Sequence, residues 1–434
     1  MSDNKQIFLL HLTYMNRIKK YQMLDYISEN IEEETTINEH RIYILNKSNK
    51  YDGDIYYIID REFRLNDNYA VQYGRTVAEK ENKKFNIIFN CPVFEIKTKQ
   101  NFFDEEFKKV QNDCNDNNLD FVIFKNPTEI NSYLKNKKPY MVLIDFNPIR
   151  KKSIKTGDFN FIEIDGHNII PARYISEKQE YNAASFRRKV YLNISEFLTE
   201  YNSKSKNYNN LIRDFIERKL PLYAEYKNNP VKKCTSGFSK YMTYGFLSAK
   251  RIAFEILKAD TNRLNKEAFL EELIVRQELS DNFCLYCKNF KTIDCVPNWA
   301  KETLNSHKHD IRTSIYPIEK LEHAQTCDEL WNAAQKQLLK EGKIEGYLRM
   351  YWAKMLLNWT ISAQEAIDIA IYLNDKYAFD APSANGYAAI LWSIAGLHDR
   401  AFAERPVFGK IRTMTYKGAK SKFDIQKYIE EFKN

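Results

Sequence analysis

The chain has 434 residues, of which 44% are hydrophobic and 14% aromatic, with only 12 Gly and 11 Pro. That is long enough for two domains and apolar enough to bury a core, which excludes a disordered or collagen-like chain. The formal charge of +8 is compatible with a polyanionic partner, and no stretch is apolar enough for long enough to span a bilayer.

In the first part of the chain, short apolar runs alternate with amphipathic stretches. "RIYILN" (41–46), "IYYIID" (55–60), "FNIIFN" (85–90), "FVIF" (121–124), "YMVLIDF" (140–146) and "FIEIDGHNIIP" (161–171) predict buried strands, rich in Ile, Val, Phe and Tyr. Residues 66–84, 103–118 and 126–138 between them predict helices, each opening near an Asn or Asp that can cap it. Strand and helix in alternation imply a parallel sheet covered on both faces. The G-x-G-x-x-G fingerprint of dinucleotide-binding sheets is absent.

Beyond about residue 175 the strand signals stop. Residues 177–201 read as a polar helix and 202–210, "NSKSKNYNN", as an exposed connector. Helical periodicity then covers 211–226, 241–258, 266–290, 328–341, 343–358, 363–376 and 386–397. The expected organisation is an α/β domain over 1–180, a linker over 181–210 and a larger all-helical domain over 211–434. All five tryptophans lie in the helical part, from Trp299 to Trp392.

The seven cysteines, Cys91, Cys114, Cys234, Cys284, Cys287, Cys295 and Cys327, are odd in number and follow no framework. Cys284 and Cys287 form a C-x-x-C, but no second pair completes a zinc template, and His307 and His309 fit none. Reduced thiols and no metal site are expected, as in an intracellular, soluble protein. The N-terminal "MSDNKQIFLLHLTYMNRIKK" has no small-residue cleavage site and too short an apolar run for a span.

One spacing raises a functional question. In "RMYWAKMLLNWT" (349–360), Trp352 and Trp359 stand seven residues apart. On a helix they return to nearly the same face, ~10.5 Å apart along the axis. That is too far for the indoles to touch readily, and an aromatic from a neighbouring helix would fill the gap.

Longer blocks carry a family resemblance. "EELIVRQELSDNFCLY" (271–286), "LWNAAQKQLLKEGKIEGYLRMYWAKMLLNWT" (330–360), "AIYLNDKYAFD" (370–380), "NGYAAILWSIAGLHD" (385–399) and "ERPVFGKIRTM" (404–414) resemble class II cyclobutane pyrimidine dimer photolyases of the photolyase/cryptochrome family. "VLIDFNPIR" (142–150) and "EIDGHNIIPARYISEKQEYNAASFRRK" (163–189) resemble the same family's N-terminal domain. The resemblance runs from about residue 40 to the end. It implies a Rossmann-like antenna-type α/β domain joined to a helical FAD-binding domain. The implied activity is light-driven repair of UV-damaged DNA by electron transfer from excited, reduced FAD, in a monomer. The α/β domain would hold a deazaflavin or a folate as a second, antenna chromophore.

The resemblance also assigns residues. "CTSGFSKY" (234–241) is a hydroxyl-rich turn entering a helix, a natural phosphate seat, and the FAD pyrophosphate is implied on Thr235, Ser236 and Ser239, with Tyr223 nearby. Asn374 is implied beside the reactive flavin nitrogen, and Asp380 on the ring or ribose side, paired with Arg349. Glu272, Met350 and Trp392 would line the pocket for the flipped-out dimer, with Asn228 as a further contact; base flipping is the only route to a dimer buried in a duplex. Arg412 and Lys410, in a basic run from Arg400 to Lys422, would meet DNA phosphates. Trp352, Trp331 and Trp359 are implied as an electron relay from flavin to solvent, with Tyr316 and Tyr351 assisting. Two positions depart from the family pattern: Lys227 stands where an Arg is usual, losing a planar fork, and Thr243 stands where a His is usual. Two rival readings remain open: a cryptochrome-like photoreceptor, disfavoured by the absence of a long C-terminal extension, and a DNA-binding protein that has lost its flavin.

Overall fold

A computed structural model describes residues 22–433 except 29–30, 35, 151–153, 156 and 202–207. The N-terminal apolar run and most of the connector 202–210 lie outside the described residues.

Six strands form one sheet, in the order Ile42–Asn46, Asn160–Ile164, Met141–Asp145, Ile55–Ile59, Phe85–Asn90, Phe121–Phe124. Ile55–Ile59 and Met141–Asp145 are buried at every position, as continuous apolar runs covered on both faces must be. Four of the pairings are parallel. The fifth corrects the expectation of a wholly parallel sheet: Ile42–Asn46 runs antiparallel to Asn160–Ile164. A parallel pairing needs a crossover between consecutive strands. Ile42–Asn46 joins at the sheet edge beside a strand from much later in the chain, so no such crossover constrains it.

Helices Tyr69–Lys80, Lys97–Asp116 and Pro127–Lys137 cover the sheet. The first is capped by Asn68, whose Oδ1 accepts from the amides of Ala70 at 2.9 Å and Val71 at 3.1 Å. The last is capped by Asn126 and opens on Pro127, whose missing N–H is no loss there. Helix Lys97–Asp116 begins six residues before the sequence expectation, because no side-chain cap marks its start.

The chain after 208 is helical, with two breaks the periodicity concealed. The stretch 211–226 divides at Leu220–Leu222 around Pro221. The stretch 241–258 divides at Gly245, whose φ is +66° and whose added Cβ would fall 2.4 Å from the Arg61 carbonyl oxygen. Only glycine meets both demands. At this break the helical part docks on the loop after strand Ile55–Ile59: Phe63 N–H donates to the Tyr244 carbonyl at 2.9 Å, and Arg64 Nη1 to that of Gly245 at 2.7 Å.

That loop is fixed by Asp145, at the end of its own strand. The carboxylate accepts the amides of Asp60, Arg61 and Glu62 at 3.0, 2.9 and 3.0 Å, and the Tyr57 hydroxyl. Burial, with Asp60 and Glu62 alongside, pushes its pKa up to about 7. Arg61 thereby points into the helical part, where both terminal nitrogens bind Asp281 at 2.8 and 2.9 Å. Asn168 adds a third contact to Asp281 at 3.1 Å. Removing one member of a buried pair strands the other charge, at a cost of ~3–5 kcal/mol. Asp281→Ala is therefore expected to lower stability by about that amount, read as a fall in the urea midpoint.

One further expectation is corrected here. Cys287 and Cys295 form a disulfide, eight residues apart. Cys284, the other half of the C-x-x-C, is buried within helix Gln277–Tyr286, while Cys287 is its C-cap, where the chain turns back. The remaining described cysteines are free. Among the described residues, no helix is long and apolar enough to cross a membrane, and no group of three His, Cys, Asp or Glu side chains is placed to hold a metal ion.

Candidate active site

A cavity of about 930 Å³ opens between the C-terminal edge of the sheet and the helices, at the upper end of the ~300–1,000 Å³ usual for ligand pockets. Asp60, Asn90, Lys125 and Asn147 line its sheet side, where open α/β sheets ordinarily bind ligands. Tyr223, Ser236, Ser239, Glu272 and Asp380 line its helical side.

Ser236 comes from the turn before helix Ser239–Thr243, and Ser239 is that helix's first residue. Gly237 takes a φ of +75°, and Ser236 Oγ accepts the Phe238 amide at 3.3 Å. Thr235 turns elsewhere: its hydroxyl donates to Glu345 at 2.7 Å, and it does not line the cavity. Of the three hydroxyls of this turn, those of Ser236 and Ser239 alone face the cavity.

Asp380 faces Arg349 in a two-pronged pair, at 3.0 and 2.9 Å. Their side chains are 14% and 20% exposed. Burial alone would raise the Asp380 pKa; the guanidinium and the Ser239 hydroxyl outweigh it and hold the carboxyl below its usual range. Thr243 joins the same corner, donating to the Asp380 carbonyl at 3.2 Å, and Tyr244 donates to that of Ala381 at 2.8 Å. The serine turn and the Asp380 segment are thus one unit.

Asn374 is buried in helix Ala363–Tyr377. Its amide nitrogen approaches Gly386, where a Cβ would lie 3.1 Å away, so glycine there leaves the amide room. It donates to Asp375 at 3.3 Å, and Asp375 also accepts the Tyr387 hydroxyl at 2.8 Å, with Lys291 at 3.8 Å. Lys99, fully buried, reaches across from the α/β part to the Asp375 carbonyl at 2.7 Å. Burial pulls its pKa down to about 8, against the pull of Asp375 and Asp380. The sequence reading missed Asp375, Tyr387 and Lys99. Asp375 adjoins Asn374 and was within reach, whereas nothing marks Lys99 among the lysines of its helix.

Glu272 sits on a π-helical turn, Glu271–Arg276, inside an otherwise α-helical run. Such turns recur at functional sites because they re-aim a side chain. Lys227 Nζ donates to Glu272 at 2.8 Å, so the lysine forms a single-point contact in place of a fork.

The indoles lie deeper. Trp331, on helix Glu329–Glu341, stacks at 6.2 Å and 6° on Trp352, and meets Trp359 edge-on at 5.4 Å. Trp331 Nε1 donates to the Trp352 carbonyl and Trp352 Nε1 to Gln335, both at 2.9 Å. Trp352 follows Arg349 by one turn on helix Gly346–Asn358, which makes them neighbours on its surface. Trp359 does not reach solvent as expected: it is 2% exposed. Tyr316 covers it edge-on at 5.5 Å and donates its backbone N–H to the Trp359 carbonyl at 3.2 Å. Tyr316 is the half-buried outermost ring. Tyr351 instead donates to Asp328.

Arg349, Asn374 and Lys227 stand behind the cavity lining, and the remaining expected site residues also lie outside it. Met350 and Trp392 are half-buried and Asn228 is exposed. Trp392 is seven residues beyond the cavity-lining Asn385 on helix Ala384–Ala395, hence on the same face, ~10.5 Å along. Lys410 is exposed, and Arg412 binds Asp399 at 3.1 Å with its side chain 45% exposed. Their loop is shaped by His307, which bridges Asp310 at 2.6 Å and Glu404 at 2.9 Å, while Asp310 takes the Val407 amide at 2.8 Å.

No family model matches the chain. The deoxyribodipyrimidine photo-lyase of Potorous tridactylus is 33% identical over 424 residues, covering 86% of this chain and 80% of that protein. The protein of the same name from Arabidopsis thaliana is 33% identical over 442 residues, covering 88% and 89%. That of Methanothermobacter thermautotrophicus is 36% identical over 307 residues, covering 62% and 68%. Among solved structures, a bacterial class III photolyase from Agrobacterium tumefaciens superposes with a TM-score of 0.63 at 13% identity, over 89% of this chain and 88% of that one. A Synechocystis cryptochrome superposes with a TM-score of 0.64 at 12% identity, over 88% and 87%. These two likenesses show the fold: a parallel-sheet domain followed by a helical one.

Proposed function

The chain belongs to the photolyase/cryptochrome family, among its deoxyribodipyrimidine photo-lyases, and from that premise we propose that it is a class II enzyme that repairs cyclobutane pyrimidine dimers in UV-damaged DNA with light. The observation that carries the reading is the ladder of rings, Trp352, Trp331, Trp359 and Tyr316, which starts one helical turn from the Arg349–Asp380 pair and leads outward.

The residues present fit FAD. The cavity is large enough, Ser236 and Ser239 offer hydroxyls for a pyrophosphate, Arg349 brings a fixed cation, and Gly386 keeps space beside the Asn374 amide. An amide donates or accepts as a ring nitrogen gains or loses its proton, which suits a redox-active ring. Bound there, reduced FAD would supply the light-excited electron that opens the cyclobutane ring. The chain's own part is to hold flavin and dimer within reach and keep water out. Glu272, steadied by Lys227, offers a carboxylate to the base edges. Met350 and Trp392 offer a polarizable floor and an indole for stacking. Asn228, Lys410 and Arg412 are exposed and suit phosphate contact. The ring ladder would restore the reduced cofactor rather than take part in repair. On the sheet side, Asn90, Lys125 and Asn147 at the strand ends support a second, antenna chromophore, a deazaflavin or a folate.

The purified protein is expected to show a flavin absorption spectrum and to release FAD on denaturation, identified by mass. Protein that is folded yet free of flavin would overturn this reading in favour of a DNA-binding protein without a cofactor.

A further inference from the structure

Lys354 is a charged side chain that neither the flavin site nor the ring ladder uses. It is 1% exposed, on the helix that carries Trp352, but two residues on and so on a different face. Its Nζ donates to the Ser393 carbonyl at 2.6 Å. Ser393 is in the last turn of helix Ala384–Ala395. The amide that would ordinarily reach its carbonyl, that of Leu397, turns instead to Leu391 at 3.4 Å. A cation on such a free carbonyl also meets the negative end of the helix dipole. The same Nζ lies 5.7 Å from the centre of the Trp392 ring. Because Lys354 is buried and Trp392 half-buried, the cation lies on the ring's protein side.

A buried ammonium is costly unless it is paired. Here the carboxylate that acts on it, Asp399, is committed to Arg412 at 3.1 Å. The packed helix Ala384–Ala395 carries no ionisable side chain except Tyr387, which is committed to Asp375 at 2.8 Å. Burial, with the Arg412 charge acting the same way, outweighs the pull of Asp399 and brings the Lys354 pKa down to about 7. The charge is therefore retained at the edge of neutrality, directly behind an indole.

Resting on the reading that Trp392 is the wall against which the dimer stacks, we propose that Lys354 is a positioning residue of the substrate site: its ammonium caps the turn that presents Trp392 and sets a positive charge behind the indole, stabilising the extra electron while it resides on the stacked bases. The electron arrives from the reduced cofactor, one carbon–carbon bond of the cyclobutane opens and then the other, and the electron returns; Lys354 exchanges no atom or electron. A positive charge behind the stack lowers the energy of the electron on the dimer and so lengthens its stay. Productive ring opening then gains on unproductive return.

The test compares wild type, Lys354→Met and Lys354→Arg, each with its full flavin complement reduced by dithionite, on a dimer-containing oligonucleotide at saturation. A unit charge felt across about 10 Å at an effective dielectric of about 20 changes such a competition roughly tenfold. In Lys354→Met the ratio of repair to unproductive return, read from repair per absorbed photon, is expected to fall by that factor while flavin content stays unchanged. Lys354→Arg, charged at every working pH, is expected to restore it. In wild type the yield should fall as pH rises through about 7, where Lys354 loses its proton, and neither variant should show that step. Equal yields in wild type and Lys354→Met, or a step that persists in Lys354→Arg, would overturn the proposal. No repair by wild type itself would instead count against the reading on which it rests.

Discussion

Asp380→Ala is expected to empty the cavity of flavin. Arg349 is half-buried and pairs with Asp380 through two hydrogen bonds, and burial alone would push its charge off. Removing the carboxylate takes Asp380 from the cavity wall and leaves the guanidinium behind it without its counter-charge, a cost of ~3–5 kcal/mol. The same change frees Ser239, which the carboxylate also holds. Each ~1.4 kcal/mol is a tenfold change in affinity, so flavin occupancy should drop by more than tenfold after gel filtration, read from the ratio of flavin to protein absorbance. Thermal unfolding should show the accompanying loss of stability. Asp380→Asn retains shape and some hydrogen bonding, so it is expected to fall between. Full occupancy in Asp380→Ala with native circular dichroism would remove the pair from the flavin site.

Trp331→Phe is expected to block photoreduction and spare repair. Trp331 is the only described ring in contact with both Trp352 and Trp359, stacked on the first and edge-on to the second. Phenylalanine keeps the packing but is far harder to oxidise, so the ladder is cut in the middle. The lost indole N–H leaves the Trp352 carbonyl without that donor, a penalty of about 1–3 kcal/mol. Under illumination with an external reductant, the flavin in this variant should stay oxidised. Chemically reduced variant should repair dimers at the wild-type rate. Trp359→Phe should behave similarly, and Tyr316→Phe should slow the last step to solvent, because Trp359 itself is covered. Loss of both activities together in folded Trp331→Phe would contradict this division.

The sheet was legible because buried parallel strands read as unbroken apolar runs; all six strands were found, though the last, expected over 161–171, ends at Ile164. The exception, an antiparallel edge at Ile42–Asn46, depends on a partner more than a hundred residues away, which no local pattern encodes. Helix breaks at Pro221 and Gly245 were marked by the residues themselves, yet Gly245 is required by its contact with Arg61, a tertiary fact. The Trp352–Trp359 spacing exposed a gap, and the family resemblance pointed to Trp331; that Trp359 is buried beneath Tyr316 depends on how a loop folds over it. Thr235 illustrates a different limit. In sequence its hydroxyl is one of three in the turn, and only packing brings it to a glutamate 110 residues away. Lys354 was invisible for the same reason: in sequence it is one lysine on a helix, and only packing makes it a buried cation.

The most direct test of the account is repair itself. Protein with fully reduced flavin is mixed with an oligonucleotide carrying one cyclobutane thymine dimer, and half is illuminated with near-UV or blue light while half stays dark. The account predicts intact thymines in the illuminated sample only, resolved by chromatography, with the flavin still reduced at the end. Unchanged dimer in the light, from protein that holds its reduced flavin, would contradict it and point to a photoreceptor.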